Sequence, residues 1–452
     1  MKTEKPLGTT KSEGSGSTDI TDLTDESSYS RAGFRPRPFP PAEILKTFLL
    51  MHSLFSFYPF PGSREFYTFG SSLLSDENLF VYPPPRQGRE TKSCFVGNFC
   101  ISQSIGVWYA RSRTEREEEE MKAMVLKEIS PVENEPLKME TLPNPVPGPK
   151  QILVRISACG ICHTELDEIE GRLPPRLPMV LGHQIVGRVE GLGSGATKFA
   201  LGNRVGIAWI HSACGKCHFC KGGHENLCSE FQGTGCHVHG GYAQYTVVSE
   251  DFAYLIPERF SDAEATPLLC AGAIGYRDLI LSGIQEGQTL GLFGFGASAH
   301  IVVQMARYWG CEVFVFTRGE EHRNLAKSLG ASWTGGPEDD PPRKLHCAID
   351  FTPVGETVPR SLRVLEKGGR LVLAVIRKRN PIPPLDYAQL LWDEKEIKSV
   401  ANITRKDAQE FLPLAAEIPI IPQVQEFKLE EANQALLLLK QGRIQGAGVL
   451  RT

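Results

Sequence analysis

The sequence predicts an α/β protein in which a doubly wound parallel sheet follows a second, β-rich domain. Two observations carry that expectation. From Met121 to Tyr254, alternating segments such as Met124-Val125-Leu126 and Ile152-Leu153-Val154-Arg155-Ile156 are separated by Pro and Gly turns, the pattern of half-buried strands. After Cys270 the texture changes to strand, glycine turn, helix and strand: Thr289 to Phe293, Ala297 to Trp309, then Glu312 to Phe316. Further strands are expected at Cys347 to Asp350 and Arg370 to Val375. A strand, a crossover helix and a second strand are the repeating unit of a parallel sheet. From about Val400 to Thr452 mixed helices and short strands return, and this tail is expected to pack back on the β-rich domain.

Bulk properties narrow the function. A chain of 452 residues, 41% apolar and 23% charged, has room for two or three ordinary domains. A net charge of -4 and a pI near 6.3 supply no basic field for nucleic acid or an anionic membrane, so small molecules are the expected partners. The apolar stretch from Ile44 to Phe60 is interrupted by Lys46, His52 and several hydroxyls and is too short to span a bilayer. Residues 1 to 30 are acidic and rich in Ser and Thr, unlike a secretory signal, and a cytoplasmic location is expected.

Residues 1 to 120 lack sustained periodicity and end in Arg116-Glu117-Glu118-Glu119-Glu120. Glutamate codons are all purine, so this run reads as a ribosome-binding region translated in error, with Met121 as the natural start. A disordered extension is the other reading. No internal repeat is evident anywhere in the chain.

Cys214, Cys217, Cys220 and Cys228 form C-x2-C-x2-C-x7-C. Short steps bend a loop around an ion and the longer return closes a tetrahedron. Four thiolates leave Zn²⁺ no open position, which is the signature of a structural site. In a large chain of this kind, such spacing favours metal over disulfides. His218 and His224 read as plain loop residues, while Lys216 and Lys221 would balance thiolate charge.

Gly294-Phe295-Gly296-Ala297-Ser298-Ala299 is a G-x-G-x-x-A fingerprint between a strand and a helix. Its glycines let the backbone approach a pyrophosphate, and the helix N-terminus offers free N–H groups to it. At the end of the next strand stand Thr317 and Arg318, with no carboxylate to repel a 2′-phosphate. A hydroxyl and a guanidinium favour NADP over NAD, although Glu320 and Glu321 lie close enough to take a ribose instead.

Cys159-Gly160-Ile161-Cys162-His163-Thr164-Glu165 follows a strand, Leu181-Gly182-His183-Gln184 lies about twenty residues on, and Cys270 opens the helix into the dinucleotide domain. Taken singly, such a His is more often structural and such a Cys merely buried. Combined with the four-cysteine lobe and the fingerprint, these motifs resemble the zinc-dependent alcohol dehydrogenases of the medium-chain dehydrogenase/reductase superfamily, especially the bacterial and cinnamyl-alcohol-dehydrogenase-like branch. The resemblance runs from Met121 to the C-terminus.

It implies a GroES-like catalytic domain at residues 121–271, a Rossmann domain at 272–400 and a return to the catalytic domain at 401–452. It also implies two zinc ions, a primary alcohol and aldehyde as substrates, and a homodimer or homotetramer. Cys162, His183 and Cys270 become ligands of a catalytic zinc with an open fourth position. Thr164 takes the family's proton-accepting hydroxyl position, and Glu165 stands where the C-H-T-D motif has Asp, as an acceptor for the His183 ring. Trp209 corresponds to an aromatic wall of the substrate pocket; an ordinary core Trp is the other reading. Two further residues depart from the family. Gln184 replaces the Glu that commonly follows the ligand histidine, and Asp167 stands in place of the relay histidine, leaving the cofactor ribose, Asp167 or water as the proton's exit. Rival readings are a zinc-free reductase of the same superfamily, against which the three ligands argue, and a zinc-stabilised sensing protein, which alcohol-dependent turnover would exclude.

Overall fold

The computed structural model describes residues 119–452; the expectations for residues 1–118 and for the 44–60 stretch lie outside the described residues. The fold takes in the last two glutamates of the supposed extension. Glu120 begins β1 (Glu120–Leu126), which pairs antiparallel with β2 (Leu137–Pro143) and with β4 (Met179–Val180).

The β-rich part is built on β3 (Gln151–Gly160) and β5 (Gln184–Leu192), which pair antiparallel and are flanked by β6 (Arg204–Ile207), β9 (Tyr245–Ser249) and β10 (Ala253–Leu255). A separate ribbon joins β7 (Ile210–Ser212) to β8 (Gln232–Gly233). The register of β3 against β5 places Gly160 opposite Gln184. The residues just beyond, Ile161-Cys162 on one strand's exit and His183 on the other's entry, therefore emerge at the same end of the sheet. Gly160 is required there, since a Cβ would lie 2.9 Å from the Gln184 side chain. Helix α1 (His163–Ile169) follows at once, with Cys162 at its N-cap.

Helices α2 (His218–Lys221) and α3 (Asp262–Ala265) are single turns. Helix α4 (Ala271–Ser282) then leads into six parallel strands in the order β13-β12-β11-β14-β15-β16. These are β11 (Thr289–Phe293), β12 (Glu312–Phe316), β13 (Trp333–Gly335), β14 (Leu345–Asp350), β15 (Leu365–Leu373) and β16 (Glu396–Ser399). Helices α5 (Ala299–Tyr308), α6 (Glu320–Ser328), α7 (Thr357–Val364) and α8 (Tyr387–Leu390) connect them. This is the doubly wound order whose ligands sit at the strands' C-terminal ends. Every residue of β11 is buried, as a central strand covered on both faces must be.

The tail divides differently from the expected boundary at residue 401. Helix α9 (Arg405–Glu417) buries Ala408, Phe411, Leu412 and Ala415 in the same core as α4, α5 and the parallel strands. Gly272 of α4 makes room for Phe411, whose ring lies 2.6 Å from where a Cβ would stand, and Arg277 on the same helix pairs with Asp407 at 2.8 Å. The apolar face of α9 thus belongs to the nucleotide side. Only later does the chain return: β17 (Val424–Lys428) and β18 (Ala447–Arg451) join the β-rich sheet, β18 antiparallel to β3, with α10 (Ala432–Lys440) between them. Among the described residues no helix is long and apolar enough to cross a membrane.

His300, in the first turn of α5, is buried and joins the glycine turn to Gln423, just before β17. Its Nδ1 lies 3.4 Å from the Gly296 carbonyl and its Nε2 accepts from the Gln423 N–H at 3.5 Å. One nitrogen donates and the other accepts, which is a neutral imidazole. Burial pushes its pKa from 6.5 down to about 4. An unfolded chain takes up that proton first, so the contribution to stability is full above about pH 6.5 and lost as pH falls towards 4. Between pH 7.5 and 5, His300→Asn is expected to lose about 2 kcal/mol less unfolding free energy than wild type in denaturant titrations. Equal losses in both proteins would show that His300 does not titrate this way.

Candidate active site

The ends of three elements bring Cys162, His183 and Cys270 together, with donor atoms all within 4.8 Å of one another. Nε2 of His183 stands 3.3 Å from Sγ of Cys270. A tetrahedral zinc with ordinary bond lengths separates such a pair by about 3.5 Å. Behind them Glu165 holds two members at once: its Oε1 is 2.6 Å from Nδ1 of His183, and its Oε2 accepts the Cys162 N–H at 2.7 Å. Both Glu165 and His183 are fully enclosed.

The charges in this pocket test whether a cation fits. The hydrogen bond from Cys270 holds the Cys162 thiol well below its usual range, against burial, with His183 helping. The same hydrogen bond, then burial, pushes Cys270 well above. Burial is the largest effect and works against a charged His183, but Glu165 and Cys162 together outweigh it and hold the ring well above its ordinary value. Of these two adjacent, half-buried thiols one is favoured as thiolate and the other as thiol, and making both thiolates calls for added positive charge. A divalent cation supplies that charge, and its three donors are of the type zinc selects.

The four lobe cysteines also converge, with sulfurs within 4.8 Å of one another and Cys214 and Cys220 3.9 Å apart. Tetrahedral Zn–S bonds would place two sulfurs about 3.8 Å apart. Backbone N–H groups of Cys217, Cys220 and Glu230 donate to the sulfurs of Cys214, Cys217 and Cys228, as suits thiolates. His218 instead stacks on Phe219.

In the parallel sheet, Gly294 turns the chain at φ +85°, and Gly296 is exposed with nothing within 4 Å of a notional Cβ. That open face, followed by half-buried Ala297 and Ser298 and the start of α5, has the room and the free N–H groups that could hold a pyrophosphate. Thr317 is buried at the end of β12, whereas Arg318 is exposed. Arg323, which the sequence reading missed, folds back from α6 and donates to the Thr317 and Arg318 carbonyls at 3.0 and 2.9 Å. Its signal was helical spacing: one turn into α6, it faces the strand end.

Residues 148–258 match the alcohol dehydrogenase GroES-like domain, and residues 299–417 match the zinc-binding dehydrogenase family. The alcohol dehydrogenase AdhA of Mycobacterium tuberculosis is 44% identical over 336 residues, covering 73% of this chain and 97% of that protein. The chain belongs to the zinc-type alcohol dehydrogenases of the medium-chain dehydrogenase/reductase superfamily. Among solved structures, a Sorghum bicolor cinnamyl alcohol dehydrogenase is 26% identical with a TM-score of 0.67, over 74% of this chain and 98% of that one. A zinc-binding dehydrogenase of Sinorhizobium meliloti bound to NADP is 26% identical with a TM-score of 0.66, over 74% of this chain and 100% of that one. The chain is a zinc-binding, NAD(P)-dependent alcohol dehydrogenase.

Other residues of the dehydrogenase's site sort by what they touch. Trp209 meets the His183 ring edge-on at 5.2 Å and continues to Phe231 at 6.4 Å, so it packs directly on a metal-donor ring. Thr164 is buried, its Oγ1 accepting from Cys162 Sγ at 3.6 Å. Gln184 is spent on β-sheet packing against Gly160. Asp167 differs from the expected proton carrier. Its carboxylate accepts from Arg377 through Nε at 3.0 Å and Nη2 at 2.7 Å, and from Arg172 Nε at 2.7 Å. With three guanidinium N–H groups on its two oxygens, it is a clamp between elements.

Glu168, also missed, is the fourth residue after Thr164 on the same helical face and is fully buried beside Cys236. Burial and then the Glu165 charge push its carboxyl well above the usual range, while burial and then Glu168 push Cys236 up to about 12.

Glu165→Ala should leave the fold intact but weaken zinc retention about 10- to 100-fold, the usual cost of removing a carboxylate that orients a ligand histidine. Competition against a chromogenic chelator measures it; retention unchanged from wild type would deny Glu165 that role.

Proposed function

We propose that the dehydrogenase interconverts a primary alcohol and its aldehyde, with Cys162, His183 and Cys270 holding a catalytic zinc, Cys214, Cys217, Cys220 and Cys228 holding a structural one, and NADP preferred to NAD. The observation that carries the reading is the convergence of three donors, two half-buried thiols and a buried histidine, at one point with a hydroxyl beside them. A three-donor set leaves a fourth position for substrate, whereas the lobe's four donors leave none.

Bound at that point, zinc would supply Lewis acidity, easing loss of an alcohol's proton and polarising an aldehyde, while nicotinamide carries the hydride. The chain's own residues do the rest. Thr164 accepts the substrate's proton and passes it to the cofactor ribose or to water, since Asp167 is engaged elsewhere. Glu165 keeps the His183 ring turned so that Nε2 faces the ion. Trp209 gives the pocket a flat apolar wall that excludes water from the reacting carbon. Gly294, Gly296 and the start of α5 hold the pyrophosphate, and exposed Arg318 beside Thr317 receives the 2′-phosphate.

A dimer or tetramer forms through the sheet edge. Strand β16 is the last of six, all four of its residues are exposed, and nearby Trp392 and Tyr387 are 67% and 61% exposed. An open edge beside exposed aromatics favours pairing with a second copy. All ten described cysteines are free, which suits a reducing, cytoplasmic compartment.

Metal analysis of the purified chain should find two zincs, and aldehyde-dependent oxidation of NADPH should outpace that of NADH on an aliphatic and aromatic panel. Cys217→Ser should remove one zinc and lower the melting temperature. Arg318→Gln should raise KM for NADPH about tenfold or more while leaving NADH nearly unchanged, as loss of a phosphate contact does. One zinc and no turnover would refute the catalytic reading, and equal effects on both nucleotides would refute the role of Arg318. In sedimentation, the double variant Trp392→Glu/Ile397→Lys should shift the assembly towards smaller species with zinc content unchanged; an unaltered profile would place the interface elsewhere.

A further inference from the structure

The segment after β15 is stapled to the nucleotide side by three consecutive residues. Lys378 reaches back to Asp350 Oδ2 at 2.6 Å and to the Thr352 carbonyl at 2.7 Å. The Arg379 N–H donates to the Pro353 carbonyl at 2.6 Å, and Asn380 accepts from the Gly355 N–H and donates to Glu356. Asp350 is fully buried at the C-terminal end of β14, where Thr352 and Thr357 complete its hydrogen bonds. The methyl of Thr352 in turn lies 3.1 Å from a notional Cβ on Gly294, against the nucleotide turn.

Held from below in this way, Arg377 points the other way and grips Asp167 of α1 with two parallel N–H donors. Asp167 is 12% exposed and Arg377 32%, so the pair is shielded from much of the solvent's screening. A continuous line of contacts therefore runs from the glycine turn through Thr352, Asp350, Lys378 and Arg377 to the helix that carries Thr164 and follows Cys162. Arg172 holds the same carboxylate from within the β-rich part and not from the nucleotide sheet.

We infer that Arg377 is a positioning residue: its bidentate pair with Asp167 fastens the catalytic helix α1 to the rim of the nucleotide sheet, and this pair must open before nucleotide leaves. The inference rests on the nucleotide site proposed above. Its physical basis is that nucleotides bind at the strands' C-terminal ends, where Arg377 stands four residues past β15. Truncating one partner of a shielded charge pair mainly speeds dissociation.

The test is stopped-flow release of NADPH, followed by its fluorescence, from zinc-loaded wild type, Arg377→Lys, Arg377→Gln, Asp167→Asn, the Arg377→Gln/Asp167→Asn double variant, and Arg172→Gln. Release should quicken about tenfold in Arg377→Gln and in Asp167→Asn, with no further gain in the double variant. Arg377→Lys should recover part of the loss, because it keeps the charge without the fork. Arg172→Gln should release nucleotide at the wild-type rate. Wild-type release from Arg377→Gln, additive effects in the double variant, or an equal effect of Arg172→Gln would each overturn the inference. If Asp167→Asn fails to fold, the three Arg377 and Arg172 single variants decide by themselves. A wild-type chain that binds no nucleotide overturns the nucleotide site and this inference with it, whereas wild-type binding with unchanged Arg377 variants overturns this inference alone.

Discussion

Two thiols and an imidazole will occupy one dry pocket only if the backbone forces them there, and the antiparallel register of β3 on β5 does most of that work. Setting Gly160 opposite Gln184 fixes where Cys162 and His183 emerge, and a slip of one residue would turn every side chain of one strand to the wrong face. Cys270 arrives independently, at the N-cap of α4, whose axis is fixed by packing against α5 and α9. The third donor therefore depends on the nucleotide-side core. The metal-donor set is in this sense a test of whether both halves of the fold are correctly assembled.

Helix α1 shows how one turn of sequence yields three different carboxyl groups. Glu165 faces the His183 ring, Asp167 faces two arginines and Glu168 faces a closed interior beside Cys236. Spacing alone separates them by 100° steps around the helix. Environment then separates them: Glu165 holds the His183 ring, Asp167 joins elements, and Glu168 is pushed towards its neutral form. Sequence leaves Asp167 as one of three proton exits beside the cofactor ribose and water, and only the fold shows that Arg377, 210 residues away, holds its carboxylate.

That contrast marks where sequence is informative. Strands Thr289 to Phe293 and Glu312 to Phe316 were legible to the residue, because central parallel strands are continuous apolar runs bounded by turns. The helix expected at Ala297 to Trp309 narrows to Ala299–Tyr308, its first residues being used by the glycine turn. The two cysteine sets were legible because ligand type and spacing are local properties. The placement of α9 was not: its apolar stripe says that it is buried, but not whether the partner is Gly272 of α4 or the β-rich sheet. Arg377 lies in a run of cations, Arg377-Lys378-Arg379, where only three-dimensional contacts separate the residue that reaches α1 from the one that reaches Asp350.

The same reasoning gives the four-cysteine lobe a purpose beyond its own stability. Glu225, between Cys220 and Cys228, is buried and accepts from Arg405 at 2.7 Å, and Asn226 donates to the Ala401 carbonyl at 2.8 Å. Arg405 begins α9 and also lies over the Phe252 ring, so the lobe, the β-rich part and the helix of the nucleotide core meet at one side chain. A loop of this composition has too few apolar residues to order itself; its sulfurs must be tied together before Glu225 has a fixed position. Fixing it anchors the first turn of α9, whose Phe411 packs on Gly272, two residues from Cys270. The four-cysteine lobe thus connects to the Cys162, His183 and Cys270 cluster through a short series of packed contacts, with Arg405 and Phe411 as its intermediate steps.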